Sequence, residues 1–265
     1  MPFPYKKVLV IGATSGIGEA LAARFVQEGS SVIVVGRRKD KLVDFVHRHG
    51  NDKASAVPFD ITELDKIPAF VTNITKTHED LDGILINSGI QRGLDFSKPE
   101  TVDLDMIQNE FTTNYLSYLA LTKGFLPFLQ SKSTKSALMY TTSSLGLVPL
   151  VRCANYSASK AALHHFILCL REQLKDSKIS IVELIPPAVQ TELHDAKHQP
   201  ELENRRPMGM PLDEFTEQAY QGLAAGKEQV PVGHGQAFFE NFELRRQEDF
   251  RRLTDGMKAR DSRDG

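Results

Sequence analysis

Short, largely apolar runs alternate along the chain with longer stretches in which apolar residues recur every three or four positions. The apolar runs lie at 8–11, 31–35, 54–59, 83–86, 137–141 and 179–185, and a weaker one at 229–232 is interrupted by Pro231. Runs this short, without polar alternation, fit strands covered on both faces. The stretches between them, at 16–28, 39–49, 64–77, 103–129, 156–175 and 212–225, carry a helical period. The fourth is long for one helix and is expected to bend near Asn114. Regular alternation of strand and helix predicts an α/β fold, a doubly wound parallel sheet of about seven strands with helices on both faces.

Two stretches do not fit this alternation. Residues 190–211 are polar and carry Pro200, Pro207 and Pro211, which reads as a mobile loop near the substrate. Residues 258–265 read as a disordered tail, leaving 1–257 as a single domain with no internal repeat or linker. Phe239, Phe242, Phe250 and Leu253 share one helical stripe and are expected to be buried against the subunit or a partner.

Candidate chemistry begins directly after the first strand, at Gly12-Ala-Thr-Ser-Gly16-Ile-Gly18. An apolar strand, a glycine-rich turn and a helix opening are the parts of a dinucleotide pyrophosphate site. Glycines let the backbone approach the phosphates, and the helix N-terminus offers N–H groups and the positive end of its dipole. The order of glycines differs from Gly-x-Gly-x-x-Gly, so position carries the argument more than spacing. Further along, Tyr156 and Lys160 stand four residues apart, behind a Ser143-Ser144-Leu145-Gly146 turn. On a helix that spacing places both on one face. A phenol titrates near ~10 when unperturbed, and a neighbouring cation favours its ionised form. Alone, the pair is common on helix surfaces; the glycine loop changes its weight.

Together these features resemble the short-chain dehydrogenase/reductase family over almost the whole chain. The resemblance implies a Rossmann-type fold, catalytic roles for Asn114, Ser143, Tyr156 and Lys160, and a water placed by Asn114. It also implies cofactor contacts from Gly12, Thr14, Ser15, Gly16, Ile17, Gly18, Asp60, Ile61, Asn87, Gly89, Tyr156, Lys160, Pro186, Val189 and Thr191. Asn87-Ser88-Gly89 departs from the family's Asn-Asn-Ala-Gly turn, and Pro187 stands where the family carries glycine. Both departures bear on loop shape more than on chemistry.

The end of the second strand bears on the cofactor. An acid there would serve the ribose 2′-OH of NAD, whereas arginine suits a 2′-phosphate. The chain offers Gly36-Arg37-Arg38-Lys39, so Arg37, assisted by Arg38 or Ser15, predicts NADP. Composition adds mainly exclusions. A net charge of -2 over 265 residues gives no electrostatic case for nucleic acid or an acidic membrane. Two cysteines cannot build a disulfide framework, and no metal site is expected from His47, His49, His164, His165 and Cys169. The glycosylation sequons at Asn73 and Asn155 read as chance matches, and a cytoplasmic location is expected.

The expected activity is NADP(H)-dependent reduction of a ketone or aldehyde, or the reverse oxidation, by a homodimer or homotetramer joined through its long central helices. Leu145, Leu147, Val148, Pro149, Leu150 and Val151, with Met208 and Met210, suggest a largely apolar pocket for a small-molecule substrate. An NADPH-sensing or structural protein without turnover is the alternative, and an intact serine, tyrosine and lysine set weighs against it.

Overall fold

The computed structural model describes residues 3–194, 199 and 208–264. Seven strands form one sheet: β1 Lys7–Ile11, β2 Ser31–Gly36, β3 Ala54–Pro58, β4 Gly83–Ile86, β5 Ser136–Thr141, β6 Ile179–Ile185 and β7 Gln229–Pro231. All neighbours pair in parallel, in the order β3-β2-β1-β4-β5-β6-β7. Strand order reverses between β1 and β4, so the crevice at their carboxyl ends is the natural ligand site.

Side-chain alternation explains the apolar runs. Along β1, Val8 and Val10 enter one core while Leu9 and Ile11 enter the other. Helices α1 Gly16–Gln27, α2 Lys39–His49 and, later in the chain, α7 Leu212–Ala224 cover the first face through Leu21, Phe25, Phe45 and Phe215. On the opposite face lie α3 Ile67–Thr77, α5 Ser117–Gln130 and α6 Ala154–Gln173, with Ile74, Phe125, Leu163 and Ile167 buried. Each such side chain stabilises the fold by roughly 1.5–3 kcal/mol relative to exposure.

Two expected helices are divided. Leu64–Lys66 is a 3-10 turn, and α3 starts after it with Pro68 in its first turn, where the missing N–H costs no helical bond. The long stretch consists of α4 Leu104–Phe111, a π-helical turn Thr112–Leu116 and α5. Asp103 caps α4 by accepting from the N–H groups of Asp105 and Met106 at 2.9 and 3.1 Å. The bend expected near Asn114 is this π turn, which inserts a residue into the helical ladder.

The C-terminal expectations need correction. Helix α8 Gly235–Phe238 leads through a second π turn, Phe239–Glu243, into α9 Leu244–Asp264. Residues 258–264, expected to be a disordered tail, therefore continue a helix. Charge pairs support it, including Arg252 with Asp249 at 3.2 Å and Lys258 with Glu172 of α6. Nor do the aromatic residues make one buried stripe: Phe239 is buried, but Phe242 is 58% and Leu253 65% exposed. The π turn rotates the helix face, and Glu243 and Gln247 point inward instead. Most of the expected mobile loop, 190–211, lies outside the described residues. Its base is tied by a parallel bridge of Val189 with Met210. Among the described residues no helix is long and apolar enough to cross a membrane.

Candidate active site

The glycine loop is shaped by contacts that a side chain would block. Gly12 and Gly16 have φ of 89° and 57°, in the left-handed region. A Cβ on Gly12 would come within 2.6 Å of the Ser88 nitrogen, and one on Gly18 within 2.2 Å of the Gly12 carbonyl oxygen. Asn87 donates to that carbonyl at 3.3 Å and accepts from Thr141 at 2.9 Å, which ties β1, β4 and β5 together at the crevice. The first turn of α1 opens beside the loop, with N–H groups that have no intrahelical acceptor. Backbone donors and glycines without room for side chains fit a dinucleotide's pyrophosphate.

A cavity of about 560 Å³ runs from this loop to Tyr156. The structure brings almost all the expected cofactor residues to it: Gly12, Thr14, Ser15, Gly16, Ile17, Arg37, Arg38, Asp60, Ile61, Asn87, Gly89, Pro186, Val189 and Thr191. Gly18 stands behind the wall and serves packing. At the end of β2, Arg38 donates to Thr14 at 3.0 and 3.1 Å, to Ser15 at 2.6 Å and to Glu192 at 2.7 Å. Arg37 is the more open of the two, with its side chain 67% exposed and 3.8 Å from Asp60. Asp60 in turn accepts from the Thr62 N–H and hydroxyl at 3.0 and 2.8 Å.

At the other end of the cavity, Ser143 follows β5 and opens a 3-10 turn, Ser144–Gly146. That turn lies directly on α6. A Cβ on Gly146 would come within 2.9 Å of the Lys160 carbonyl carbon and oxygen, so only glycine permits the approach. Ser144 N–H donates to Pro186 O at 2.8 Å, fixing the turn to the end of β6. Ser143 and Tyr156 therefore face the same end of the cavity, and the Ser143 hydroxyl accepts from Leu145 N–H at 3.1 Å. Lys160 is buried, and its Nζ donates to Thr141 O at 2.9 Å.

Burial decides the proton affinities. It pushes the Tyr156 phenol well above its ordinary value, Ser143 opposes, and Cys153 and Glu110 reinforce the rise. Burial also pulls Lys160 down to about 7, against the carboxylate of Glu110. The expected depression of the phenol by Lys160 is not among the influences on it, and burial sets the direction. Asn114 is fully buried beside them. Its side chain accepts from Ile90 N–H at 3.0 Å and donates to Ile90 O at 2.9 Å and Ser159 Oγ at 3.2 Å. The side chain stands behind the cavity wall, where its amide holds the chain after β4 against α6.

The substrate half is less apolar than expected. Leu145, Leu150 and Met208 line it, but Leu147, Val148, Pro149, Val151 and Met210 do not, and Val151 is 92% exposed. The stretch is bounded by two 3-10 turns, Ser144–Gly146 and Val151–Cys153, and the second opens with Val151 facing outward. Gln91, Arg92, Arg152, His194 and His234 share the wall instead. Sequence reading missed them, although Gln91 and Arg92 follow the matched Asn87-Ser88-Gly89 turn. Behind the site, His164 lies one helical turn beyond Lys160. Its ring nitrogens meet Glu183 at 2.7 Å and Glu243 at 2.8 Å, and Thr142 donates to Glu183 at 2.8 Å.

Comparisons with known proteins place the family. The short chain dehydrogenase family profile matches residues 6–202. The uncharacterized oxidoreductase DltE of Bacillus subtilis is 31% identical over 223 residues, 84% of this chain and 86% of that protein. The NADP-dependent 3-hydroxy acid dehydrogenase of Schizosaccharomyces pombe is 29% identical over 191 residues, 71% of this chain and 73% of the other. A short-chain dehydrogenase from Sphingobium yanoikuyae, solved with NADPH, superposes with a TM-score of 0.80 at 23% identity, covering 92% of this chain and 94% of its own. A parallel sheet with its glycine loop at the β1–β4 switch, and a match over most of its length, make this chain a member of the short-chain dehydrogenase family of oxidoreductases.

Proposed function

We propose that the chain is an NADP(H)-dependent carbonyl reductase acting on a ketone or aldehyde. The observation that carries this reading is one continuous cavity with the glycine loop at one end and Ser143, Tyr156 and Lys160 at the other. When bound, the nicotinamide cofactor supplies the hydride. The chain supplies placement and the proton. Ser143 and Tyr156 hold the carbonyl oxygen between their hydroxyls, and Ser143 donates to the negative charge that develops there. Tyr156 gives its proton to that oxygen. A phenol kept protonated by burial suits the reductive direction, because it holds its proton until a strong base forms beside it. Lys160 would hold the nicotinamide ribose, and Asn114 keeps Ile90 and α6 in register beside it.

The choice of NADP rests on Gly36, which leaves no acid at the end of β2, and on Arg37 and Arg38 at the cavity wall. These cations would meet a 2′-phosphate, while Gly12, Ser15, Gly16 and the first turn of α1 would take the pyrophosphate. The deciding experiment follows NADPH absorbance with a panel of carbonyl compounds and the purified protein. Turnover of at least one ketone or aldehyde, faster with NADPH than with NADH, is the expected result. Tight NADPH binding with no turnover across the panel would favour the sensing or structural reading.

A further inference from the structure

Glu110 is an acidic group behind the cavity wall that the reaction just described does not use. It lies in α4, one helical turn before Asn114, and is fully buried. A buried carboxylate is costly unless its oxygens find donors. Both do. Oε1 accepts from the Arg92 backbone N–H at 2.7 Å, and Oε2 accepts from the Asn155 side-chain amide at 2.7 Å. Burial pushes its carboxyl above the usual range, and Asn155, Arg92 and Lys160 hold it back.

Those partners belong to two walls of the site. Arg92 lines the cavity on the chain after β4, and Asn155 immediately precedes Tyr156 in α6. Asn155 is held from the same side by donating to Ile107 O at 3.2 Å. Glu110 therefore anchors the cavity wall and the start of the catalytic helix at one point. Its charge also bears on the reacting groups. It supports the Lys160 ammonium against burial and reinforces the proton on Tyr156. The other titratable groups facing the pair are Tyr118 of α5, with Lys160 Nζ 5.4 Å from its ring centre, and Cys153 of the turn before α6. Arg92 faces Glu110 itself.

We propose that Glu110 is a positioning residue that seats Tyr156 through Asn155 and holds a buried negative charge beside the Tyr156–Lys160 pair. Both effects favour reduction. The seat fixes where the phenol points, and the charge keeps the pair protonated to higher pH.

The kinetic part of this inference rests on the carbonyl-reductase reading, but the charge part does not. Lys160 is accessible to measurement without turnover, by carbon NMR of lysines labelled at Cε. Its resonance is assigned by its loss in Lys160→Met. In wild type it is expected to titrate at about 7, far below the exposed lysines. In Glu110→Gln it should titrate lower by about one pH unit, the order expected for removing one nearby buried charge. The alkaline limit of kcat/KM for reduction should fall with it. Glu110→Asp keeps the charge one methylene further back and should lie between the two. Asn155→Ala keeps the charge but removes the seat, so kcat should fall about tenfold with little change in KM for NADPH.

A Glu110→Gln titration that superimposes on wild type, with only a lower melting temperature, would reduce Glu110 to a strut and overturn the charge. If that variant does not fold, Glu110→Asp decides in the same way: a downward displacement supports the charge, and coincidence with wild type overturns it. An unchanged kcat in Asn155→Ala would overturn the seat. Absence of turnover in wild type itself would count against the reductase reading, while the Lys160 titration would still decide the charge.

Discussion

At the scale of single residues, Tyr156 and Lys160 stand in the same burial with opposite outcomes: the phenol keeps its proton more firmly and the ammonium less so. Tyr156→Phe is expected to lower kcat by roughly 10²–10⁴ while leaving NADPH binding nearly intact, the usual range for loss of a general acid. Near-normal turnover in that variant would remove the phenol from the reaction. The two arginines after β2 separate by their contacts. Arg37 pairs with Asp60 and, among the described residues, braces no part of the glycine loop, so Arg37→Ala should weaken NADPH by roughly 1.5–3 kcal/mol and leave NADH nearly unchanged. Arg38 also braces Thr14 and Ser15 in the glycine loop, so its alanine variant should weaken both cofactors. Equal losses of NADPH and NADH in Arg37→Ala would show that it does not read the phosphate.

At the scale of elements, α6 carries Tyr156, Lys160 and His164 at four-residue spacing, on one face. Burial pulls the His164 imidazole down, but Glu183 and then Glu243 push it up to about 9, above its ordinary 6.5. A raised folded-state value means the stabilisation is complete below 6.5 and is lost as pH rises through about 9. His164→Gln should therefore melt several degrees below wild type near neutral pH, with the gap closing by about pH 10. A gap that stays constant with pH would mean the imidazole is not charged in the fold. How far such elements are legible in sequence depends on what selects the residue. The strands are legible because both faces are covered, which forces continuous apolar runs. Gly12, Gly16 and Gly18 are legible because sterics exclude anything larger. The π turns leave no periodic trace, and Glu110, Glu183 and Glu243 look like ordinary solvated residues until the chain is folded. Arg152 and His194 were hidden for another reason: the pocket wall draws on turns whose side chains follow no period.

At the scale of the whole molecule, the expected assembly is a homodimer or homotetramer joined through α4, α5 and α6. Leu104, at 71% exposure, and Leu116 remain open on that side. Light scattering should give two or four times the chain's mass, and a monomer at micromolar concentration would refute the assembly. Gly146 has a wider consequence. Because the serine's turn rests on the main chain of α6, Ser143, Tyr156 and Lys160 take their relative placement from backbone against backbone. The substrate wall takes its character from the side chains of separate loops, such as Gln91, Leu150, Arg152 and His234. The side chains on those loops can be exchanged by design without touching that backbone contact, provided the main-chain ties of Arg92 to Glu110 and of Leu150 to Ser157 are kept. On the reductase reading, the chemistry and the choice of substrate are thus drawn from different parts of the fold, and substituting side chains of the wall is the route to new specificity in this scaffold.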